Sequence, residues 1–401
     1  MIITLPEILI LVAIAIILAR TFGYLIDRLK QPAVIGEILA GFLVGSYGLG
    51  ALSGVSFAVF GWNIEFPQID FVHGDFEIFA QLGILFLMFI SGLETSLPKL
   101  KSMGKNSTYI AIGGVVVPLI LGIISGIYFG YSWSVSVVIG LTLIATSVGI
   151  TVKTLMDLHI LHTNSGITIL GAAVIDDIIG IILLAFLLGV DSPLVLSAKI
   201  IIFFVIAFYI GLKIIDKILD LGEKIRVPKA LLSISLAILL IYSFFATQCG
   251  ITAIIGAFVA GLIIGDTIKS MKIVEDVKII GYGFFIPLFF VWVGASVDLS
   301  AFAIIGLFAL VIIFVSIIGK VIGCGIIAKL TGMSKHESIL VGIGMIPRLE
   351  MAIITATTAQ KYGLLSGDIA SQILATTILV CIVTALVTPI LIKIIAFKGH
   401  I

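Results

Sequence analysis

Charge is scarce in this sequence. Of its 401 residues only 11% are aspartate, glutamate, lysine or arginine, against roughly 25% in a soluble domain. The scarcity excludes a water-facing surface along most of the chain, although length alone would allow two or three soluble domains. A basic excess is missing too. The formal net charge is +1, which lacks the electrostatic footprint of a nucleic-acid binder. Cysteine is limited to Cys249, Cys324 and Cys381. Each lies in an apolar run and none forms a C-x-x-C pair, so neither a disulfide nor a resident metal site is expected. The five histidines, His73, His159, His162, His336 and His400, all fall in loops or tails. No G-x-x-x-x-G-K-[ST] phosphate loop occurs, so nothing couples the chain to nucleotide hydrolysis. No cofactor is expected, and the chain does not read as an enzyme.

What fills the chain is apolar, at 61% hydrophobic residues with 42 glycines. The reading is a single all-α polytopic membrane unit over 1–401. A bilayer-crossing helix needs about 20 mostly apolar residues. Thirteen segments qualify: 5–27, 33–49, 79–97, 107–130, 133–156, 165–190, 195–217, 228–247, 250–268, 277–297, 301–329, 335–358 and 369–396. The first is read as a span, since no small-residue cleavage site follows it. The stretch 50–78 reads as an external loop with a helix lying in the interface, a place that suits Phe57, Phe60, Trp62, Phe66 and Phe71. Thirteen crossings put the termini on opposite sides. With the N-terminus outside, eighteen of the 23 lysines and arginines fall at the inner face, and only Lys199 and Lys361 fall outside. That asymmetry orients the chain in the cell (inner) membrane with its C-terminus cytoplasmic. Arg20, Lys320 and Arg348 remain inside spans.

The two halves echo each other. "GEILAGFLVG" (36–45) resembles "GAFVAGLIIG" (256–265), and "LFLMFISGLETSL" (85–97) resembles "LFFVWVGASVDLS" (288–300). The pairs fall in spans two and nine, then three and ten. The expectation is a first six-span repeat over 1–190, a linker span within 191–227, and a second six-span repeat over 228–401. A single linker span inverts the second repeat. Inverted repeats are a plan of secondary transporters, which bind their substrate near the midplane between the repeats.

Span six carries "GAAVIDDIIG" (171–180), with Asp176 and Asp177 side by side at its centre. A carboxylate there costs at least ~2.5 kcal/mol on insertion scales, so it is expected to face the bundle interior and to be functional. Adjacent helical residues point about 100° apart, yet both can border one cavity. Two close carboxylates in a poorly solvated site do not both ionise easily, which suits proton exchange. Deprotonated, they suit a hard cation, and the only metal expected there is transported Na⁺. Lys320 lies near the middle of span eleven, and a buried lysine needs an acid partner. Asp176 and Asp177 are both available. Spans five and twelve are interrupted at matching places, by Thr146-Ser147-Val148-Gly149 and by Gly344 with Pro347. Interrupted helices offer free carbonyls and half-helix ends to an ion, and Thr146, Ser147 and Thr151 add hydroxyls. Arg348 and Glu350 read as structural charges that neutralise half-helix ends and each need a charge partner.

With these residues in view, "PAVIGEILAGFLVG", "LFLMFISGLE", "ATSVGIT", "AAVIDDIIG", "GAFVAGLIIG", "PLFFVWVGASVDL" and "GMIPRLEMA" resemble, in order, the marks of the monovalent cation:proton antiporters, in the NapA-type sodium/proton branch. The resemblance spans nearly the whole chain. It implies an NhaA/NapA-like fold of about thirteen transmembrane helices, with two inverted repeats and two crossed broken helices. It also implies a core domain that moves against a dimerisation domain, and a homodimer. By the same resemblance Asp177 is the main cation and proton carrier, and Asp176 pairs with Lys320. Potassium efflux relatives carry glutamine in place of the first aspartate, so Asp176 favours the electrogenic sodium type. One departure is Leu349, where relatives usually have glycine.

The implied activity is secondary active exchange of Na⁺ (or Li⁺, or K⁺ as the alternative) for H⁺ by alternating access across the lipid bilayer, with no nucleic-acid partner. A sodium-coupled organic anion symporter of the same fold is a rival that the paired acids beside a buried lysine oppose. An intramembrane aspartyl protease needs aspartates from two helices, and here both sit on one. A passive channel remains separable by flux against an opposing gradient.

Overall fold

A computed structural model describes residues 5–45, 48, 50, 56–59, 62–65, 71–72, 74–188, 192–224, 227–296 and 306–398. Among the described residues the chain is helical apart from one short hairpin. The first half holds α1 (Leu5–Arg28), α2 (Ala33–Val44), α3 (Asp75–Glu94), α4 (Leu97–Tyr128), α5 (Trp133–Thr142), α6 (Val148–Asp157) and α7 (Asn164–Leu188). Then come α8 (Pro193–Lys224), α9 (Ala230–Gln248), α10 (Ala253–Gly265) and α11 (Ser270–Ile280). A π-helical turn (Gly281–Phe285) joins α11 to α12 (Ile286–Ala295). The chain continues through α13 (Leu307–Leu330), α14 (Lys335–Gly344), α15 (Glu350–Lys361) and α16 (Gly367–Lys398). Among the described residues, nine helices are long and apolar enough to cross a membrane, with α11, the π turn and α12 counted as one. Three shorter apolar helices, α2, α5 and α10, accompany them. The protein is a multi-pass helical membrane protein.

One expectation is corrected. The loop 50–78 holds no interfacial helix among its described residues before Asp75. Ser56–Val59 pairs antiparallel with Trp62–Glu65, with Val59 opposite Trp62. Two residues between the strands is the spacing of a tight hairpin, and β-branched and aromatic residues favour it. The side chains of Phe57, Phe60, Trp62 and Phe66 lie outside the described residues. Phe71 is buried, and its ring meets Phe76 edge-on at 5.0 Å between centroids.

By internal contacts the chain forms two compact units, 1–87 with 278–300 and 88–277 with 301–401. The glycine strings become close helix crossings inside each unit. In the first, Gly41 of α2 lies against Gly294 of α12, and a Cβ on Gly41 would sit 2.1 Å from the Val291 carbonyl oxygen. In the second, Gly261 of α10 lies against Gly92 of α3, and a Cβ on Gly261 would sit 2.2 Å from the Phe89 oxygen. Each crossing joins one copy of the first echoed string to the opposite copy of the second. The neighbouring contacts repeat as well. Gly36 of α2 abuts the Phe22 carbonyl of α1, and Gly256 of α10 abuts the Tyr242 carbonyl of α9. Association between helices in lipid rests on such packing rather than on a hydrophobic driving force.

Arg20 stands in a span but is half-exposed. It lies 3.9 Å from the buried Glu37 and donates to the Tyr282 carbonyl in the π turn. The turn therefore gives the guanidinium a backbone acceptor as well as a carboxylate. Helix starts follow ordinary rules: Ser334 and Glu337 form a reciprocal capping box ahead of α14.

Small side chains at a crossing and in open space should respond oppositely. Gly92→Ala should destabilise the protein by about 1–3 kcal/mol through overpacking, because the added carbon would lie 2.3 Å from the Phe258 oxygen. Gly104→Ala in α4 meets nothing within 4 Å and should be neutral or stabilise by about 0.5–1 kcal/mol. Unfolding midpoints of both variants in one detergent provide the check, and an equal shift would refute the close crossing.

Candidate functional site

The site lies in the second unit, where two interrupted helices meet. α5 stops at Thr142 and α6 begins at Val148; α14 stops at Gly344 and α15 begins at Glu350. The two gaps are the same length and touch directly, with the Ser147 N–H donating to the Pro347 carbonyl at 2.6 Å. Non-helical backbone at membrane depth is tolerated only where protein satisfies it. Here each gap satisfies the other. Thr151, one turn into α6, donates its hydroxyl to the Gly344 carbonyl at the end of α14 over 2.7 Å.

Arg348 lies in the second gap and is completely buried. Its guanidinium donates to the Ala145 carbonyl at 3.1 Å and the Ser316 carbonyl at 3.3 Å, with Ile144 oxygen at 3.5 Å. The Arg348 backbone N–H donates to Thr384 Oγ1 on α16. The partners are backbone carbonyls, where a charged partner had been expected. Two of them follow the C-terminal end of α5, where a cation is favoured by the helix dipole. Glu350 opens α15, and its side chain lies outside the described residues.

Asp176 and Asp177 sit together on α7, both buried. Asp176 Oδ2 receives the Lys320 ammonium at 2.8 Å and the Thr146 hydroxyl at 2.6 Å. Asp176 and Lys320 are both 0% exposed. A pair this deep is not a surface ornament, because removing either partner strands the other charge at about 3–5 kcal/mol. Asp177 is turned about 100° from Asp176 on the same helix, and it is 4% exposed. Asp176 Oδ1 and Ser147 Oγ are buried with no hydrogen-bond partner among the described residues. Thus Thr146 links the first gap to the carboxylate pair, and Ser147 links it to the second gap.

Several contributors were not singled out from sequence. Gly114 on α4 leaves room for Lys320, since a Cβ there would lie 3.4 Å from Nζ and 2.5 Å from Cys324 Sγ. Ser316 supplies Arg348 with a carbonyl one turn before Lys320. Thr384 caps the second gap, and its signal was a run of threonines at helical spacing in α16, Thr377, Thr384 and Thr388.

Comparisons agree with this architecture. The sequence matches the family described as "Sodium/hydrogen exchanger, transmembrane" over residues 9–398. It is 34% identical to the Na⁺/H⁺-K⁺ antiporter GerN of Bacillus cereus, over 95% of this chain and 94% of that one. It is also 34% identical to a Na⁺/H⁺ antiporter of Enterococcus hirae, over 94% of this chain and 95% of that one. The solved structure of the sodium proton antiporter MjNhaP1 from Methanocaldococcus jannaschii at pH 8 superposes with a TM-score of 0.66 at 19% identity. That superposition covers 97% of this chain and 96% of the other, and it shows a shared fold.

The clamp on the broken helices has a measurable weight. Arg348→Met leaves buried carbonyls without a charged donor and should cost about 3 kcal/mol, whereas Thr151→Val loses one neutral hydrogen bond and should cost about 1 kcal/mol. Denaturation in detergent ranks the two, and equal costs would show that the guanidinium does not hold the gap.

Proposed function

The chain belongs to the sodium/hydrogen exchanger family, and we propose that it is a secondary active sodium(lithium)/proton antiporter of the NapA type. Exchange is electrogenic and follows alternating access, with Asp177 as the main cation and proton carrier. The observation that carries this reading is the fully buried Asp176–Lys320 pair at the meeting of two broken helices, with Asp177 as its neighbour. A carboxylate in that position binds a proton or a hard cation but not both, so neither crosses without exchange. The partnerless Asp176 Oδ1 and Ser147 Oγ support a cation ligand set there, with Thr146 and Thr151 lining the site. Antiport also fits the names of the relatives in Bacillus cereus and Enterococcus hirae.

The finer architecture follows the same reading. The twofold recurrence of the glycine crossings, and of the equal gaps, supports two inverted six-helix repeats in a thirteen-helix chain, divided as 1–190, 191–227 and 228–401. The protein works as a homodimer in the cell (inner) membrane, N-terminus outside and C-terminus cytoplasmic, as the lysine and arginine asymmetry favours. Potassium/proton exchange is the second reading, favoured by the K⁺ in the name of the Bacillus cereus relative.

Proteoliposomes with a trapped pH dye test the exchange, with Na⁺, Li⁺ and K⁺ added in turn. Sodium should move protons, and the apparent cation affinity should strengthen as pH rises and then level off, because protons compete for the same carboxylate. Asp177→Asn should fold, insert and lose exchange. Cation-driven proton flux in that variant, or an affinity flat from acid to alkaline pH, would refute the shared carrier.

Lys320 accounts for the net charge. Without cation it pairs with Asp176; sodium bound at Asp177 weakens the pair and lets Lys320 release a proton. More than one proton then moves per sodium. Lys320→Gln should still exchange but respond little to membrane potential. Clamping the potential at two values with potassium and valinomycin reads this directly, and a fully potential-sensitive variant would remove Lys320 from the proton count.

A further inference from the structure

Behind Lys320, on the outer face of the α4–α13 pair, runs an open groove of about 740 Å³. Its floor is the crossing of Gly113 and Gly323, where a Cβ on Gly113 would lie 2.3 Å from the Gly323 oxygen. The next residues inward, Gly114 and Cys324, touch the Lys320 side chain's space. The groove is not uniform along its length. Lys105, Asn106 and Thr331 gather at one end, and apolar side chains continue from there to Val117. Lys105 is the only charge in the lining, with no acid among the described residues that form it. Lys329 stands beside this end, exposed.

The dimensions and the charge select an occupant. From Lys105 to Val117 is about 18 Å along a helix rising ~1.5 Å per residue, close to half of a ~30 Å hydrocarbon core and therefore one leaflet deep. An apolar slot one leaflet deep with a cation and two hydrogen-bonding side chains at its interfacial end is complementary to an acyl chain joined to a phosphate. We propose that this groove is a binding site for an anionic phospholipid of the cytoplasmic leaflet. Its phosphate lies at Lys105, Asn106 and Thr331, and one acyl chain lies over the Gly113–Gly323 crossing. Juxtamembrane lysines are attracted to anionic lipid at about 1 kcal/mol each; here the attraction is tied to a shaped slot. The seated chain covers the backbone crossing that positions Lys320, so the lipid braces the site from behind.

A tryptophan reporter tests the occupant. Ile326→Trp places a fluorophore in the groove wall, and Leu330→Trp serves if that variant is not monodisperse. Phe244→Trp, on the exposed face of α9, is the control. Each is reconstituted with brominated phosphatidylglycerol or brominated phosphatidylcholine at equal mole fraction, with the signal of the native tryptophans subtracted. The expected result is a roughly fivefold preference for the anionic lipid at the groove reporter, the size one lysine supplies, and none at α9. Lys105→Gln should remove most of that preference, with exposed Lys329→Gln removing a smaller part. Equal quenching by both lipids would mean ordinary annular lipid and overturn the proposal. So would a preference that survives the Lys105→Gln/Lys329→Gln double variant. Protection from both lipids, with crosslinking between copies through a cysteine at 326, would assign the groove to a second copy of this chain instead.

Discussion

Everything at the site follows from one constraint: backbone that leaves the helix inside a membrane must find its hydrogen bonds in protein. Two helices are interrupted here, which exposes donors at the starts of α6 and α15 and acceptors at the ends of α5 and α14. The molecule answers by laying the gaps against each other. Ser147 donates to Pro347, Thr151 covers the Gly344 carbonyl, and Arg348 reaches the carbonyls after α5. Once the gaps are fixed, Thr146 has only to extend its hydroxyl to fix Asp176. The charge of Arg348 is thus spent on the scaffold, which leaves Lys320 as the cation that pairs with Asp176.

A second constraint is distance. A lysine fully buried against an aspartate needs neighbouring helices close enough to exclude water yet open enough to hold its stem. Gly113 and Gly323 bring α4 and α13 together, and Gly114 leaves the space that the lysine fills. Small residues serve both purposes at once. A larger residue at Gly114 would close the lysine's slot even if the helices tolerated it.

Much of this was legible in the sequence, for identifiable reasons. Apolar runs mark helices in a bilayer because nothing else satisfies the backbone there, so the thirteen segments all contain described helix. The breaks were readable from Thr146-Ser147 and from Gly344 with Pro347, since polar and helix-breaking residues in an apolar run have no other use. The aspartate pair stood out for the same reason. What was not legible depends on three-dimensional partners. Arg348 looks in need of an acid, but carbonyls freed by a break about 200 residues upstream cannot be seen along the chain. The hairpin at 56–65 was missed because its aromatics suit an interfacial helix equally well, and only the alternation over four-residue runs argued for strands. Gly114 was one glycine among 42 until Lys320 was placed beside it.

The recurrence of the crossings and gaps also shows where the two halves part company. α2 with α12 and α10 with α3 use the same glycine contact, and the gaps 143–147 and 345–349 are equal in length. The charged groups do not recur. Asp176 and Asp177 stand on α7, whereas α16, the long helix that closes the second half, carries buried threonine and aliphatic side chains along its middle. Arg348 occupies one gap, and Ser147 and Thr146 the other. The two gaps leave four half-helix ends at one meeting point, and the acid reached from there through the Thr146 hydroxyl is Asp176. The Ser147–Pro347, Thr151–Gly344 and Arg348–Ala145 hydrogen bonds that hold the crossing use neither Asp176 nor Lys320, so the buried ion pair and these backbone contacts are built from separate groups.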